Sequence, residues 1–329
     1  MNGNYHDLIV LFENEAWQMP LFEVLDRSGV RYGTIDLKSA SISDRDRPRA
    51  PLYFNQASPS AYLRGNTRAV PFALALIEDL EAQGARVLNG SRPFRIELSK
   101  MAQIGLMRRL GVEHPRSWAF NDVESLRQRA SELTFPAILK PNQGGSGARM
   151  VQIESLDHLA ALLEDRPELW LPDNLLLLQE YLHHDQHGRG IVRMEYLDGE
   201  LLYALRVVSG GRFNLCPSEV CNPQQGPSAC HSDGAEGALG ESGSGPRFYA
   251  YPDVPSQAVE TGRRLFLAAG LDVGAVEYLE TSDGRRVFYD INANSNLRRS
   301  MGAEFGFDPF ERVVDFLIRE IGHVESNAA

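Results

Sequence analysis

A hairpin pattern near the C-terminus constrains this chain more than any other part of its sequence. The run is GAVEYLETSDGRRVFYDINANSN, residues 274–296. Asp283-Gly284 within it is flanked by alternating apolar residues, which is a strong short-range signal for a β-hairpin turn. Counting outward from a two-residue turn places Glu277 directly opposite Asp290.

Two carboxylates facing each other across a strand pair need an explanation. Their β-carbons would lie roughly 4.5–5.5 Å apart, where like charges normally destabilise a sheet. Asn292 follows Asp290 by two residues and therefore points to the same face. An oxygen-only ligand set of this kind favours Mg²⁺ over zinc, with Mn²⁺ as a second possibility. The alternative is a solvated sheet face that tolerates two acids.

The opposite face of this hairpin is predicted to be core. Its residues are Val276, Tyr278, Val287, Tyr289 and Ile291.

Composition narrows the class of protein. The chain has 329 residues, of which 43% are apolar and 23% charged, as in ordinary globular proteins. A net charge of −11 argues against general binding to nucleic acid or to an anionic membrane. The N-terminus lacks the pattern of a signal peptide, and no apolar run is long enough to span a membrane. We therefore expect a cytoplasmic soluble protein.

The order of predicted elements indicates a mixed α/β (α+β) chain with three units. Residues 1–95 open as strand, helix, strand, which is typical of an open α/β domain. Residues 96–184 carry a strand, a glycine turn and a second strand. Residues 185–329 hold two hairpins, helices at 256–269 and 309–321, and a glycine- and serine-rich stretch near 210–256 that is predicted to be a mobile loop.

The glycine turn lies between two strands and consists of Gly144, Gly145, Ser146 and Gly147. It is not a Walker loop or a dinucleotide fingerprint, because both of those open a helix. A strand–turn–strand of this kind can lay backbone N–H groups over phosphates, although a plain hairpin turn has the same pattern.

Two lysines strengthen the phosphate interpretation. Lys140 ends the strand before the glycines, where its ammonium can reach a phosphate under the turn. Lys100 lies where the first unit gives way to the second. The alternative for Lys100 is a surface lysine at a helix N-terminus.

A second hairpin is predicted around Asp198-Gly199. With these residues at the turn, Arg206 pairs with Ile191 and stands diagonal to Arg193 on one face. Two guanidiniums so placed suggest an anionic ligand, since Arg suits carboxylate and phosphate geometry. The alternative is that one of them pairs with Glu195 on the same face.

The segment Gln179, Glu180, Tyr181 and Leu182 ends an apolar strand and can present backbone groups to an adenine edge, as any strand end can. We interpret His183, His184 and His187 as part of a solvated loop. Cys216, Cys221, Cys230 and His231 have the wrong spacing for a zinc site, which favours unligated thiols.

Taken in order, these motifs resemble those of the ATP-grasp superfamily, and within it the RimK-like glutamate ligases and glutathione-synthetase-type enzymes. The resemblance covers about the last 230 residues. It rests on Lys100 after a serine, on LKP ending a strand, on GGSG, on QEYL, and on VEYLE followed by VFYDINANSN.

The resemblance implies a role for each matched residue. Lys100 and Lys140 would contact the nucleotide phosphates and residues 144–147 would form a flap over them. Glu180 and Leu182 would read adenine through their backbone. Arg193, Arg206 and Lys140 would act in catalysis, near the transferred phosphoryl group and the substrate carboxylate. The implied magnesium ligands are Glu277, Asp290 and Asn292.

The resemblance also implies the domain plan and the activity. Residues 1–95 would be a Rossmann-like pre-ATP-grasp domain, 96–184 a small lid subdomain, and 185–329 the subdomain with the metal site. The implied activity is an ATP-dependent carboxylate–amine ligase that acts on amino acids or peptides, with a homo-oligomer possible. The main alternative is a kinase of the same fold. A binding module with a dead site is disfavoured, because both lysines and all three metal ligands are present.

The chain departs from the family pattern at two places. RimK-like enzymes usually carry an acidic residue three positions before the first arginine, where this chain has Gly190. Asp185 and His187 are therefore the candidates for the ribose contact. The loop near 210–256 is also longer and richer in cysteine than expected, so neither substrate can be identified from the sequence.

Overall fold

We describe the fold from a computed structural model, which covers residues 5–43, 49–145, 147–182, 191–208, 247–295 and 297–328. The strands are β1 Leu8–Phe12, β2 Tyr32–Asp36, β3 Leu52–Gln56, β4 Arg86–Leu88, β5 Ser117–Phe120, β6 Ala137–Pro141, β7 Val151–Ile153, β8 Leu176–Glu180, β9 Ile191–Leu197, β10 Glu200–Val208, β11 Arg247–Ala250, β12 Val273–Glu280 and β13 Arg286–Asn292. The α-helices are α1 Glu15–Ser28, α2 Ala69–Ala82, α3 Ser91–Leu98, α4 Lys100–Arg109, α5 Val123–Arg127, α6 Leu156–Asp165, α7 Ser256–Ala269, α8 Arg299–Glu304 and α9 Pro309–Ala328. Within these ranges no helix combines the length and apolar character needed to cross a bilayer.

The first sheet is parallel, with strand order β2-β1-β3-β4. All five residues of β1, LIVLF, are buried. A continuous apolar run is what a parallel strand needs when both of its faces are covered. Helix α2 and helices α1 and α9 contribute to the two core clusters on this sheet. The predicted open α/β beginning is confirmed.

The second sheet is antiparallel, with order β5-β8-β6-β7. Its core includes helix α6, which begins after Ser155, whose hydroxyl accepts the backbone N–H of His158. The glycine turn connects β6 to β7, as predicted.

The third sheet has order β11-β10-β9-β12-β13 and is also antiparallel. Helices α4 and α7 share its main core cluster, which includes Leu106 and Met107 of α4. Strand β11 lies within the stretch near 210–256 that was predicted to be a loop, so that prediction is wrong for Arg247–Ala250. Residues 209–246 lie outside the described part of the chain.

The C-terminal hairpin confirms the pairing of Glu277 with Asp290 but not the turn from which it was counted. Thr281, not Ser282, faces Arg285, whose carbonyl accepts the Thr281 N–H at 3.0 Å. The register then shifts between Glu277 and Tyr278. The extra residue, Tyr289, forms a β-bulge on β13 that restores the expected pairing.

The bulge also changes which residues face the core. Phe288 pairs with Tyr278, and their ring centroids lie 5.3 Å apart in the core cluster. Tyr289 and Val287 were predicted on that face, and both lie on the other face, although Val287 is buried as predicted. Val287 pairs with Leu279, and Tyr289 donates its hydroxyl to Glu277 at 2.6 Å.

The second hairpin turns at Asp198-Gly199, as predicted, and both residues have positive φ, 53° and 80°. A bulge between Leu201 and Tyr203 then shifts the register, so Arg206 pairs with Val192.

Arg193 consequently faces Leu205, and Arg206 lies on the opposite face of the sheet. The prediction that the two arginines share a face is therefore wrong. Arg206 instead forms an ion pair with Glu280 at 2.9 Å, and its guanidinium lies over the ring of Tyr251.

Candidate active site

One large cleft is lined by residues from all three sheets. Its lining includes most of the predicted site residues, namely Lys100, Lys140, Gly144, Gly145, Gly147, Gln179, Glu180, Tyr181, Leu182, Arg193, Glu277, Asp290 and Asn292. Arg206 does not belong to the described lining. Ser146, Asp185, the three histidines and the three cysteines discussed above lie outside the described residues.

Protein cations pair with both facing carboxylates. The Lys100 ammonium donates to Oδ1 of Asp290. Arg193 Nη1 donates to Oε1 of Glu277 at 2.7 Å. Burial raises the pKa of Glu277, Arg193 acts against that rise, and the charge of Asp290 adds to it. Without Lys100 and Arg193, the two facing carboxylates would therefore repel each other.

These residues suit a hard divalent cation. Two carboxylates and the amide of Asn292 provide oxygen ligands on neighbouring positions of one face. The Nδ2 of Asn292 is buried and has no hydrogen-bond partner among the described residues. No group of three or more His, Cys, Asp or Glu side chains suitable for a metal occurs in the same ranges. Two carboxylates and an amide oxygen are compatible with Mg²⁺, which usually takes one or two carboxylates together with substrate phosphates.

Lys140 is a buried cation on β6. Its Nζ donates to Oε1 of Gln179 on the neighbouring strand at 3.0 Å. Burial, and then the charge of Lys100, lower the pKa of Lys140 to about 7. An anionic ligand nearby would favour its protonated form.

Arg193 on β9 is held by two carboxylates. It pairs in register with Glu277, and its Nε donates to Glu195 at 2.6 Å, so the alternative pairing within the strand is also present. Its buried Nη2 has no partner among the described residues. This nitrogen can donate to an anion in the cleft while the other two hold the guanidinium in place.

The glycine turn contacts the first domain. Nε2 of Gln143 donates to the carbonyl of Pro59 at 3.2 Å, and the guanidinium of Arg149 lies over the ring of Tyr62. Pro59 and Tyr62 belong to a short 3₁₀ helix, Pro59–Arg64. The residues at the turn thus contact the segment that follows β3 of the first sheet.

The end of β8 lies at the cleft, as expected. The N–H of Glu180 donates to the carbonyl of Arg116 at 2.9 Å, and its carboxylate accepts the Arg116 N–H at 2.8 Å. Ile138, Met150 and Leu279 also line the cleft. Apolar side chains of this kind suit the faces of a planar ring.

Sequence reasoning missed Glu97, which lies in the last turn of α3 and lines the cleft. Burial raises the pKa of Glu97 to about 8. Its Oε1 accepts the backbone N–H of Asn294 at 3.0 Å, and its Oε2 is buried with no partner among the described residues. The only sequence signal was an acid between Ile96 and Leu98, three residues before Lys100.

The first domain also contributes cleft residues that the sequence did not single out. They include Gln18 on α1, Gln56 at the end of β3, and Ser58 and Ser60 just beyond it. The carboxyl end of parallel strand β3 therefore opens into the same cavity as the lysines, which is where open α/β sheets bind ligands.

Comparison with known proteins identifies the fold that carries this site. No family model matches the chain. The carbamoyl phosphate synthase large chain of Rubrobacter xylanophilus is 37% identical over 79 residues. That stretch covers 23% of this chain and only 7% of the length of the relative.

Solved structures match over nearly the whole chain. The ATP-grasp ligase PsnB, complexed with minimal precursor, Mg and ADP, is 19% identical with a TM-score of 0.62, over 96% of this chain and 97% of PsnB. A RimK domain protein from Sphaerobacter thermophilus is 17% identical with a TM-score of 0.66, over 94% and 98% of the two chains.

D-alanine–D-alanine ligase from Bacillus anthracis, complexed with ATP, has a TM-score of 0.67 at 14% identity, over 98% of this chain and 99% of the ligase. Similarity at this level of identity establishes the fold. The chain therefore has the ATP-grasp fold that its order of motifs predicts.

Proposed function

We propose that this protein is an ATP-dependent ligase that joins a carboxylate to an amine through an acyl phosphate. One observation carries the proposal: Lys100 and Arg193 pair with the facing carboxylates Asp290 and Glu277 in a cleft that Lys140 also lines. Such an arrangement suits a polyphosphate with its divalent cation.

The cations of the cleft would hold the nucleotide phosphates. Lys100, which pairs with Asp290 in this structure, would turn to phosphate oxygens when a cation occupies the carboxylates, and Arg193 would donate from Nη2. Bound Mg²⁺ would supply charge neutralisation at the transferring phosphoryl group. The end of β8 would contact the adenine. Structures of PsnB with Mg and ADP, and of D-alanine–D-alanine ligase with ATP, support this assignment.

The reaction requires no side-chain nucleophile. A carboxylate oxygen of the first substrate attacks the γ-phosphorus of ATP, and ADP leaves. The amine nitrogen then attacks the acyl carbon, the C–O bond to phosphate breaks, and inorganic phosphate leaves and takes up the amine proton. Lys140 and Arg193 provide fixed positive charge for the first step. A catalytic role for Arg206 stays a prediction.

Amino acids or peptides are the proposed substrates. PsnB was solved with a precursor peptide, and the Bacillus anthracis enzyme is a D-alanine–D-alanine ligase, which supports this class. The amide and hydroxyl groups of Gln18, Gln56 and Ser60 would face such a ligand from the first domain. A cytoplasmic location and a homo-oligomer remain expectations.

Trapping of the acyl phosphate tests the proposal. The protein is incubated with ATP, Mg²⁺, hydroxylamine and a panel of amino acids and dipeptides. Hydroxamate formation with ADP release is the expected result. A stable phosphorylated product without hydroxamate would establish the kinase alternative instead. Absence of Mg²⁺-dependent ADP release with every acid would indicate a binding module.

A further inference from the structure

Glu97 is a buried acid whose second oxygen faces no donor. Its side chain lines the cleft and is 2% exposed. Oε1 accepts one backbone N–H, that of Asn294, whereas Oε2 has no partner in the described part of the chain. Burying a polar oxygen without a hydrogen bond is unfavourable, so such a group needs an explanation.

Glu97 lies within electrostatic reach of Lys100, Asp290 and Arg193, but neither of its carboxyl oxygens forms a hydrogen bond with them. It ends the helix that follows the first domain, and its partner Asn294 lies two residues beyond β13. Nδ2 of Asn294 donates to the carbonyl of Gln56 at 2.8 Å, so this point of the cleft joins β3 of the first domain to the sheet with the carboxylates. A ligand here would lie between the two.

When the carboxyl of Glu97 is ionised, the missing partner is a hydrogen-bond donor, and when it is protonated, Oε2 can pass its proton to a basic nitrogen and then accept from it. Lys100, Lys140 and Arg193 line the same cleft, and in the function proposed above they would bind the anionic groups of the nucleotide. An acceptor oxygen in the same wall is suited to a nitrogen, and a charged pair of this kind is stronger than a neutral hydrogen bond. A carboxyl group and an amine form a hydrogen-bonded pair whether the proton lies on the oxygen or on the nitrogen.

We propose that Glu97 binds the amine substrate, with Oε2 accepting an N–H of the primary amine that later attacks the acyl phosphate. Glu97 is thus a specificity residue that selects an amine as the second substrate. The proposal rests on the ligase function proposed above. The phosphoryl-transfer step does not require this contact, and therefore the two can be tested apart.

The experiment compares two nucleophiles in the variant Glu97→Gln. Wild-type protein is first screened with amino acids and dipeptides as acid and amine to find a productive pair. Hydroxylamine at high concentration traps the acyl phosphate without needing the amine site. Glu97→Gln should form hydroxamate within about threefold of wild type, whereas its KM for the amine should rise at least about tenfold, as for loss of a charged hydrogen bond.

Glu81→Gln is the matched control. Glu81 accepts the N–H of Ser91 at 2.9 Å, and Ser91 lies at the end of α3 opposite to Glu97. Glu81 itself does not belong to the described cleft lining. Glu81→Gln should change neither the rate of hydroxamate formation nor the KM for the amine. This control separates loss of the amine contact from disturbance of the helix. Glu97→Asp, with a shorter carboxylate, should recover part of the amine coupling, and the melting temperature checks folding for each variant.

Three other outcomes would contradict the assignment of Glu97 to the amine site. An unchanged KM for the amine in Glu97→Gln would overturn the assignment and leave the ligase function intact. Equal loss of hydroxamate and amide would place Glu97 in the phosphoryl step and also overturn it. If wild type itself gives no hydroxamate with any acid, the ligase function fails, and the amine site fails with it.

Discussion

Nζ of Lys140 lies 3.0 Å from Oε1 of Gln179, and this hydrogen bond joins β6 to β8 at the wall of the cleft. The amide carries no charge, so it does not offset the burial that lowers the pKa of Lys140 to about 7. In the free protein the side-chain amine of Lys140 is therefore largely protonated only below about pH 7. Phosphate binding favours the protonated form.

Nucleotide affinity should therefore fall as pH rises above 7. The Kd for Mg²⁺–ADP is expected to increase by up to about tenfold per pH unit, because a proton must be taken up on binding. Titration calorimetry at pH 6.5, 7.5 and 8.5 measures this slope. Lys140→Arg, whose guanidinium stays charged, should show a flatter profile. Identical slopes in both proteins would contradict the assigned pKa.

Asp290→Asn should abolish the response to magnesium. The substitution removes one of two facing carboxylates, and Mg²⁺-dependent ADP formation is expected to fall by at least about 100-fold. Asp283→Asn, in the exposed turn of the same hairpin, is the control and should stay within about twofold, as usual for a surface change. Equal activity in the two variants would remove the metal site from this hairpin.

Arg193 and Arg206 can be separated by substitution. Arg193→Lys cannot keep two carboxylates and donate to an anion as well, so kcat should fall by at least about 50-fold. Arg206→Ala loses an ion pair with Glu280 and a ring contact with Tyr251, which should lower the free energy of unfolding by about 1 kcal/mol. Its KM for ATP should be nearly unchanged. A large loss of kcat in Arg206→Ala would instead support the catalytic role predicted from sequence.

Gly145→Ala tests the contact between the glycine turn and the first domain. The added Cβ would lie 3.2 Å from Cβ of Ser60, so either the turn or the 3₁₀ helix must shift. The KM for ATP is expected to rise by about three- to tenfold, as when a closing loop is displaced. Gly105→Ala is the control, because nothing lies within 4 Å of its added Cβ. Equal KM values would show that this contact does not affect nucleotide binding.

Glu97→Gln should stabilise the protein at alkaline pH. The pKa of Glu97 rises from 4.5 in the unfolded chain to about 8 in the folded protein. The contribution of Glu97 to stability is thus greatest below pH 4.5 and is lost as pH rises through 8, because between these values only the unfolded chain ionises. Relative to wild type, the variant should gain up to about 4 kcal/mol at pH 8 and about 1 kcal/mol at pH 5. Urea unfolding at both pH values measures the difference, and an equal difference at both would contradict it.

Local patterns predicted most elements, and most predicted site residues lie in one cleft. Both hairpin turns carried their own signal, yet each hairpin contains a bulge that alternation does not reveal. In the C-terminal hairpin the predicted turn was wrong by one residue, and the bulge adds one residue to β13. The two differences cancel, so the predicted pairing of Glu277 with Asp290 is correct. In the other hairpin nothing offset the bulge, and Arg206 was assigned to the wrong face.

Contacts between distant segments could not be predicted from sequence. Glu97 becomes notable only because Asn294 lies beside it, nearly two hundred positions later. Similarly, Gln18 and Ser60 line the cleft because the first sheet opens toward it, which no spacing in the chain encodes.

The bulge at Tyr289 has a consequence for how this hairpin acquired its chemistry. Between the turn and the site, β13 has one residue more than β12, and the surplus residue is a tyrosine whose hydroxyl binds Glu277. A single inserted codon can therefore add a phenol to the cleft while both carboxylates keep their places. Deleting Tyr289 should leave a regular hairpin with the same acidic pair, and aligning the strand with a relative that lacks the insertion requires a one-residue gap.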